Sequence, residues 1–311
     1  MEAKRVNTIF SSIIVFSIVS ELIIGFFLMD YVDLDNLIVN EMIVELLLLT
    51  PAIIGILYKR NKEESLTDRL AFHKMKPKAI CATVLCGIVI IPIGTLANAV
   101  SLLFTENTVT ESSDLYLIQG VMTAMVFVAV VGPFVEEFVF RSVIYKGYRK
   151  AGGRMGAVLL SALLFGLMHM NLNQLVYAFV VGLLLALMVE AAGSVWASVI
   201  CHFVFNAENV AVMFLTKFLD PETDVSAIEY GNEDLIGLIV MYAFIAIIAL
   251  VIFIVLLRCI SNIQGTSENM KEIFSSREVG EKKAKLFSVS LIWGLLISVG
   301  YIVLYEVMSH L

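Results

Sequence analysis

The feature that most constrains this chain is a succession of apolar runs, each long enough to cross a lipid bilayer. A spanning helix needs about 20 mostly apolar residues. Runs of that kind occupy 7–29, 37–58, 79–104, 115–149, 154–171, 173–191, 194–216, 234–257 and 286–308. Of the 311 residues, 59% are hydrophobic and 16% are charged, whereas a soluble domain is about half apolar and a quarter charged. The sequence therefore predicts an all-α fold, a polytopic transmembrane helical bundle of about eight or nine spans.

The run at 115–149 is longer than one crossing needs and contains Gly132-Pro133 near its centre. Proline removes a backbone donor and clashes with the preceding turn of a helix. We therefore expect one long passage that is kinked or broken at this dipeptide, and nine crossings in total.

The charges between the runs predict the orientation of the bundle. Basic residues concentrate in 59–78, 141–154 and 258–285. The alternate connecting segments, 30–35, 106–114 and 220–234, are acidic. Because basic loops stay on the cytoplasmic side, we expect a cytoplasmic N-terminus and an outer C-terminus. The net charge of -7 argues against a nucleic-acid partner, which selects a basic surface.

Ionisable groups within an apolar run are costly, about 2.5–3.5 kcal/mol each on insertion scales, and are candidates for function. The stretch VVGPFVEEFVFRSVIY holds three of them, Glu136, Glu137 and Arg141. Glu137 and Arg141 are four residues apart and share a helix face, which predicts an ion pair. Glu136 is rotated by about 100° from Glu137, so we expect its carboxylate to lack that partner and to be free for proton chemistry.

Two further polar groups lie in the apolar runs that follow. His169 lies near the end of one run, in the sequence FGLMH. His202 and Asn206 lie in a later run, in the sequence HFVFN, where their spacing of four places them on one helix face. With a helical rise of about 1.5 Å per residue, these side chains and Glu136 lie at similar depths. The sequence therefore predicts a shared cavity open to the cytoplasm.

This set of side chains suits hydrolysis by an activated water. A glutamate and a histidine can bind and deprotonate the water, while a second histidine and an asparagine amide can stabilise an oxyanion. A zinc site is the alternative, with Glu136, His169 and His202 as three ligands and one position left for water. The absence of an HExxH sequence and the presence of asparagine, a poor zinc ligand, favour the metal-free reading.

The motifs EExxxR at Glu136–Arg141, FxxxH at Phe165–His169 and HxxxN at His202–Asn206 occur in this order on consecutive apolar runs. They resemble those of the CAAX-processing and bacteriocin-processing (CPBP, or Abi) intramembrane endopeptidases. The resemblance covers about residues 133–209. It implies a glutamate-dependent intramembrane protease of a type earlier classed as a metalloprotease. From the residues we expect no cofactor, with zinc as the alternative.

The resemblance also assigns roles to individual residues. Glu136 and His169 would activate the water, and His202 and Asn206 would form the oxyanion hole. Three neighbours would support the site: Glu137, Arg141 and Phe165. The substrate would be a membrane-associated, lipidated or secreted peptide, because eukaryotic members cut prenylated CAAX tails and bacterial relatives are linked to peptide maturation, bacteriocin immunity and regulation of surface proteins.

The expected organisation has three parts. Residues 1–110 would supply N-terminal spans and a basic cytoplasmic loop, 111–257 the catalytic core, and 258–311 a cytoplasmic linker and a last span. The expected location is a bacterial plasma membrane, with membrane lipid as a partner. Two other functions remain open: a catalytically silent scaffold of the same family, and a transporter that uses the acidic residues of the first two runs, Glu21, Glu41 and Glu45.

Overall fold

The computed structural model describes residues 2–28, 31–33, 36–57, 65–105, 107, 113–153, 155–225, 231–275 and 285–309. Every regular element within these ranges is a helix. The first six are α1 (Glu2–Ile23, extended by a π-helical turn Ile24–Leu28), α2 (Leu37–Leu57), α3 (Leu66–Leu70), α4 (Pro77–Val89), α5 (Ile91–Ser101) and α6 (Ser113–Gln119). They are followed by α7 (Val121–Lys150), α8 (Met155–Met168), α9 (Leu172–Ala192), α10 (Val195–Leu219), α11 (Asn232–Gln264), α12 (Ser267–Phe274) and α13 (Val289–Ser309).

Eight helices in the described ranges are long and apolar enough to cross a membrane, counting α4 and α5 as one span. The predicted polytopic bundle is thus confirmed. The run at 154–171 forms only the 14-residue α8, about 21 Å long against a hydrocarbon core of about 30 Å. It is cut short because Asn171 caps the start of α9 by accepting a hydrogen bond from the backbone N–H of Gln174.

The orientation of the bundle stays a prediction. Part of the charge on which it depends lies outside the described residues, in 58–64, 108–112, 226–230 and 276–284. The division at 110 and 257 is also still a prediction.

The passage 115–149 breaks at a different place from the predicted one. The chain turns at Gly120, whose φ of +86° is readily adopted by glycine alone. From there α7 continues through Gly132-Pro133, with π-helical turns over Met125–Val131 and Phe138–Tyr145. Such π-helical turns are frequent at functional sites.

Helix α9 lies at the centre of the bundle. One of its faces, with Ala186 and Val189, joins an apolar cluster built from α1, α2, α7, α8 and α13. Its other face, with Leu185 and Met188, joins a cluster built from α4, α10 and α11. The two clusters fix α7, α8 and α10, the helices that carry the predicted site, relative to one another.

Candidate active site

Helices α7 and α10 bring two glutamates and one histidine together. Nδ1 of His202 lies 3.1 Å from Oε1 of Glu137, and its Nε2 lies 3.7 Å from Oε2 of Glu136. The second distance is longer than a direct hydrogen bond. The imidazole ring is therefore placed between two carboxyl groups that are adjacent in sequence.

The two carboxyl groups differ in accessibility. The Glu137 side chain is fully buried, whereas that of Glu136 keeps 20% of its surface exposed. Only Glu136 of this pair can therefore reach a water molecule or a bound substrate.

The predicted pair of Glu137 and Arg141 is present and completely buried. Nε of Arg141 lies 3.1 Å from Oε2 of Glu137, an ion pair without the alignment of a hydrogen bond. The guanidinium carbon lies 4.7 Å from the centre of the Phe165 ring, within the range of a cation–π contact. Among the described residues, Nη1 and Nη2 of Arg141 have no hydrogen-bond partner, so Glu137 is the main compensation for this buried charge.

His169 lies in the turn that follows Met168, the last residue of α8, rather than within a helix as predicted. Its Nδ1 is 2.9 Å from the backbone oxygen of Phe165. A carbonyl oxygen can only accept, so Nδ1 carries the proton and the lone pair of a neutral ring lies on Nε2. The next residue, Met170, has a left-handed φ of 58°, a conformation that costs energy outside glycine and clusters at functional sites.

Phe165 forms a wall shared by both histidines. Its ring centroid lies 5.1 Å from that of His169 and 5.9 Å from that of His202, both in edge-on contact. The turn after α8 thus places His169 on the same aromatic side chain as the imidazole held by α7 and α10.

Asn206 lies one turn after His202 on α10, and its Nδ2 donates to the backbone oxygen of Val128 at 3.0 Å. In the π-helical part of α7, each backbone N–H bonds the carbonyl oxygen five residues earlier, as that of Gly132 does with Phe127. The N–H that would bond the oxygen of Val128 is therefore that of residue 133, which is a proline. Proline has no N–H. One hydrogen of the Asn206 amide therefore replaces a missing backbone donor, and the other is not used by this contact.

A buried acid on α2, which the sequence suggested only as part of a transport path, also lies close to the candidate site. Glu45 is 7% exposed, and its Oε1 would be 3.2 Å from a Cβ added to Gly132. Gly132 lies one helical turn before Glu136. The pattern of Glu41 and Glu45 indicated a polar face on α2 but not which helix that face would meet.

The described residues do not form a group of three His, Cys, Asp or Glu side chains arranged to hold one metal ion. Nδ1 of His169 and Nδ1 of His202 are both engaged with protein oxygens. Both contacts leave the Nε2 atoms for other partners, so the zinc set of Glu136, His169 and His202 stays an alternative prediction.

Gly166, inside the FGLMH motif, allows α8 to approach α9 closely. A Cβ at this position would lie 2.7 Å from the backbone oxygen of Leu175 and 3.0 Å from its Cδ1. Gly166→Ala must push the helices apart, and we expect a loss of about 1–3 kcal/mol in the free energy of unfolding, as for other overpacked cores. The measurement is denaturant unfolding of the purified protein in detergent.

The matched control is Gly300→Ala on α13, where an added Cβ meets nothing within 4 Å. We expect this variant to be at least as stable as the parent protein, because alanine is the better helix former. Equal stability of the two variants would contradict the close contact between α8 and α9.

Two comparisons with known proteins found a match. Residues 118–207 match the family model described as type II CAAX prenyl endopeptidase Rce1-like, a segment that contains every residue of the predicted site. The "Putative membrane peptidase YdiL" of Bacillus subtilis (strain 168) is 28% identical over 102 residues, which are 33% of this chain and 41% of that relative. The chain thus spans about two fifths of the length of the curated relative it matches. No solved structure matches.

Proposed function

We propose that residues 118–207 make this chain a member of the CAAX-processing and bacteriocin-processing (CPBP) family of membrane endopeptidases. From that premise we infer that the chain hydrolyses a peptide bond of a membrane-associated substrate. The substrate class is a lipidated or secreted peptide, and the location is the plasma membrane, with the N-terminus in the cytoplasm. One observation carries the proposal: the His202 ring lies between Glu136 and Glu137 inside the bundle.

Glu136 is the general base of this mechanism. It is the more accessible of the two carboxylates, and Glu137 is held by Arg141 and His202. Nε2 of His169 carries the lone pair of the neutral ring and orients the same water. The water oxygen forms a bond to the carbonyl carbon while its proton moves to Glu136, and the same proton then goes to the amine nitrogen as the C–N bond breaks.

His202 and Asn206 stabilise the oxyanion of the tetrahedral intermediate. Because Nδ1–H of His202 donates to Glu137, Nε2 can donate to an oxyanion only when the ring is doubly protonated. Asn206 contributes the amide hydrogen that does not bond Val128.

In the mechanism that we propose, no step passes through a metal ion, because Glu136 and His169 activate the water. We expect cleavage by the purified protein to continue at the same rate after treatment with EDTA or 1,10-phenanthroline. Elemental analysis of the same active sample should find no stoichiometric zinc. Loss of activity that zinc restores would contradict the metal-free mechanism and leave the endopeptidase itself intact.

The experiment that tests the function uses the full chain in liposomes with peptides that differ only in lipidation. A farnesylated CAAX peptide, its unlipidated form and an apolar secreted-type peptide are incubated with it, and mass spectrometry identifies new termini. We expect cleavage of at least one membrane-bound peptide. If none is cut, and both Glu136→Gln and His169→Ala keep the protein's function in an immunity assay, the chain is a scaffold.

A further inference from the structure

A second polar cluster, separate from the candidate active site, lies between α1, α3 and the end of α7. It surrounds a cavity of about 60 Å³. Four cationic side chains and one carboxylate line it: Arg5, Arg69, Lys146, Lys150 and Glu2. Arg5 and Glu2 form an ion pair at 2.7 Å, which leaves the remaining walls cationic.

Two of the lining groups are buried and have a polar atom without a hydrogen-bond partner among the residues that the structure describes. Arg69 is 8% exposed. Its Nη2 donates to the backbone oxygen of Ile56 at 2.8 Å, but its Nη1 has no partner among the described residues. Ser142 is 3% exposed, and its hydroxyl has none there either. An unsatisfied buried donor is costly, so these groups indicate a ligand that accepts hydrogen bonds.

The chemistry of the cavity selects an anion with several oxygens. A guanidinium group, a hydroxyl and ammonium groups are the donors that proteins use for phosphate. The cluster lies at the ends of two spans, since α1 begins at Glu2 and α7 ends at Lys150. Cations at that level meet the head groups of the bilayer, and basic pockets between spanning helices bind anionic lipid heads.

A larger apolar groove adjoins this cavity. It has a volume of about 920 Å³, shares Glu2 and Arg5 with the cationic cavity, and runs between α1 and α2. Its walls are mostly apolar and include Ile9, Phe16 and Ile54. Both helices are candidate spans, so the groove lies at the depth of the lipid chains.

We propose that the cavity and the groove form one binding site for an anionic phospholipid. The phosphate lies among Arg69, Ser142 and Lys146, and an acyl chain lies in the groove between α1 and α2. The groove and the cationic cavity share Glu2 and Arg5 in their walls, and this adjacency selects a lipid over a free phosphate. Ser142 directly follows Arg141 on α7, so the bound lipid also holds the helix that carries the buried ion pair.

Native mass spectrometry of the full chain in detergent tests this site with three probes: phosphatidylglycerol, phosphatidylcholine with the same chains, and glycerol phosphate. We expect tight binding of phosphatidylglycerol alone. Arg69→Gln should weaken it roughly ten- to a hundredfold, the worth of a charged hydrogen bond. Ser142→Ala should weaken it less, and Ser12→Trp, which fills the groove, should weaken it without changing the cationic cavity.

Arg258→Gln is the control, because this arginine is exposed on α11 and should leave phosphatidylglycerol binding unchanged. The smaller Ser142→Ala change keeps the test valid if Arg69→Gln fails to fold. Equal binding of both phospholipids, binding of glycerol phosphate as tight as that of phosphatidylglycerol, or an equal effect of Arg258→Gln would each overturn the proposal.

Discussion

Glu136→Gln is expected to abolish peptide hydrolysis and leave the protein folded. The amide cannot take a proton from water, and a positioned general base contributes about 10²–10⁴-fold to the rate. The carboxyl group is partly exposed, so the isosteric amide leaves no buried charge unpaired. The measurement is the initial rate of cleavage of a membrane-bound peptide, together with the unfolding midpoint of the variant.

The control for this substitution is Glu21→Gln. Glu21 is an acid on another spanning helix, where it accepts a hydrogen bond from the hydroxyl of Tyr301 at 2.9 Å. We expect this variant to cleave at the parent rate. If Glu136→Gln cleaves as fast as Glu21→Gln, Glu136 is not the base and the proposed mechanism fails.

Contacts within one helix could be predicted from the sequence. The pair of Glu137 and Arg141 follows from a spacing of four, and the structure contains it. For His202 and the two glutamates, the sequence predicts only that the side chains lie at similar depths on different helices. It does not predict that they are in contact. The actual partner atoms of His202, Oε1 of Glu137 and Oε2 of Glu136, depend on how α10 is rotated against α7, which no local spacing determines.

Contacts that depend on tertiary packing could not be predicted. The position of Glu45 beside Gly132 requires α2 to meet α7 at one particular level. The bond from Asn206 to Val128 depends on a π register. The pattern around Pro133 indicated a disruption but not that the helix would absorb it.

The spans themselves could be predicted because the bilayer imposes one length and one composition on each of them. Eight predicted passages correspond to helices of sufficient length. The run at 154–171 made the predicted number of spans nine instead of eight. A helix that is buried by protein is also apolar, so its composition resembles that of a span. In α8, nine residues, including Leu164 and Phe165, are buried, and the capping of α9 at Asn171 ends that helix early.

Breaking the buried ion pair is expected to give the largest loss of stability. Glu137→Gln leaves the guanidinium of Arg141 inside the bundle without its anion, and removal of one partner of a buried pair costs about 3–5 kcal/mol. Both side chains are fully buried, so water cannot replace the lost partner. The measurement is the free energy of unfolding in a mixed-micelle denaturant titration.

The double variant Glu137→Gln with Arg141→Met separates an unpaired charge from a general packing defect. Removal of both charges leaves no ion uncompensated, and such replacements are often close to neutral. We therefore expect the double variant to be more stable than Glu137→Gln alone. Lys271→Met, at the exposed pair with Glu268, should change stability little, because surface ion pairs contribute little. Additive losses in the double variant would mean that Glu137 does not compensate the buried charge of Arg141.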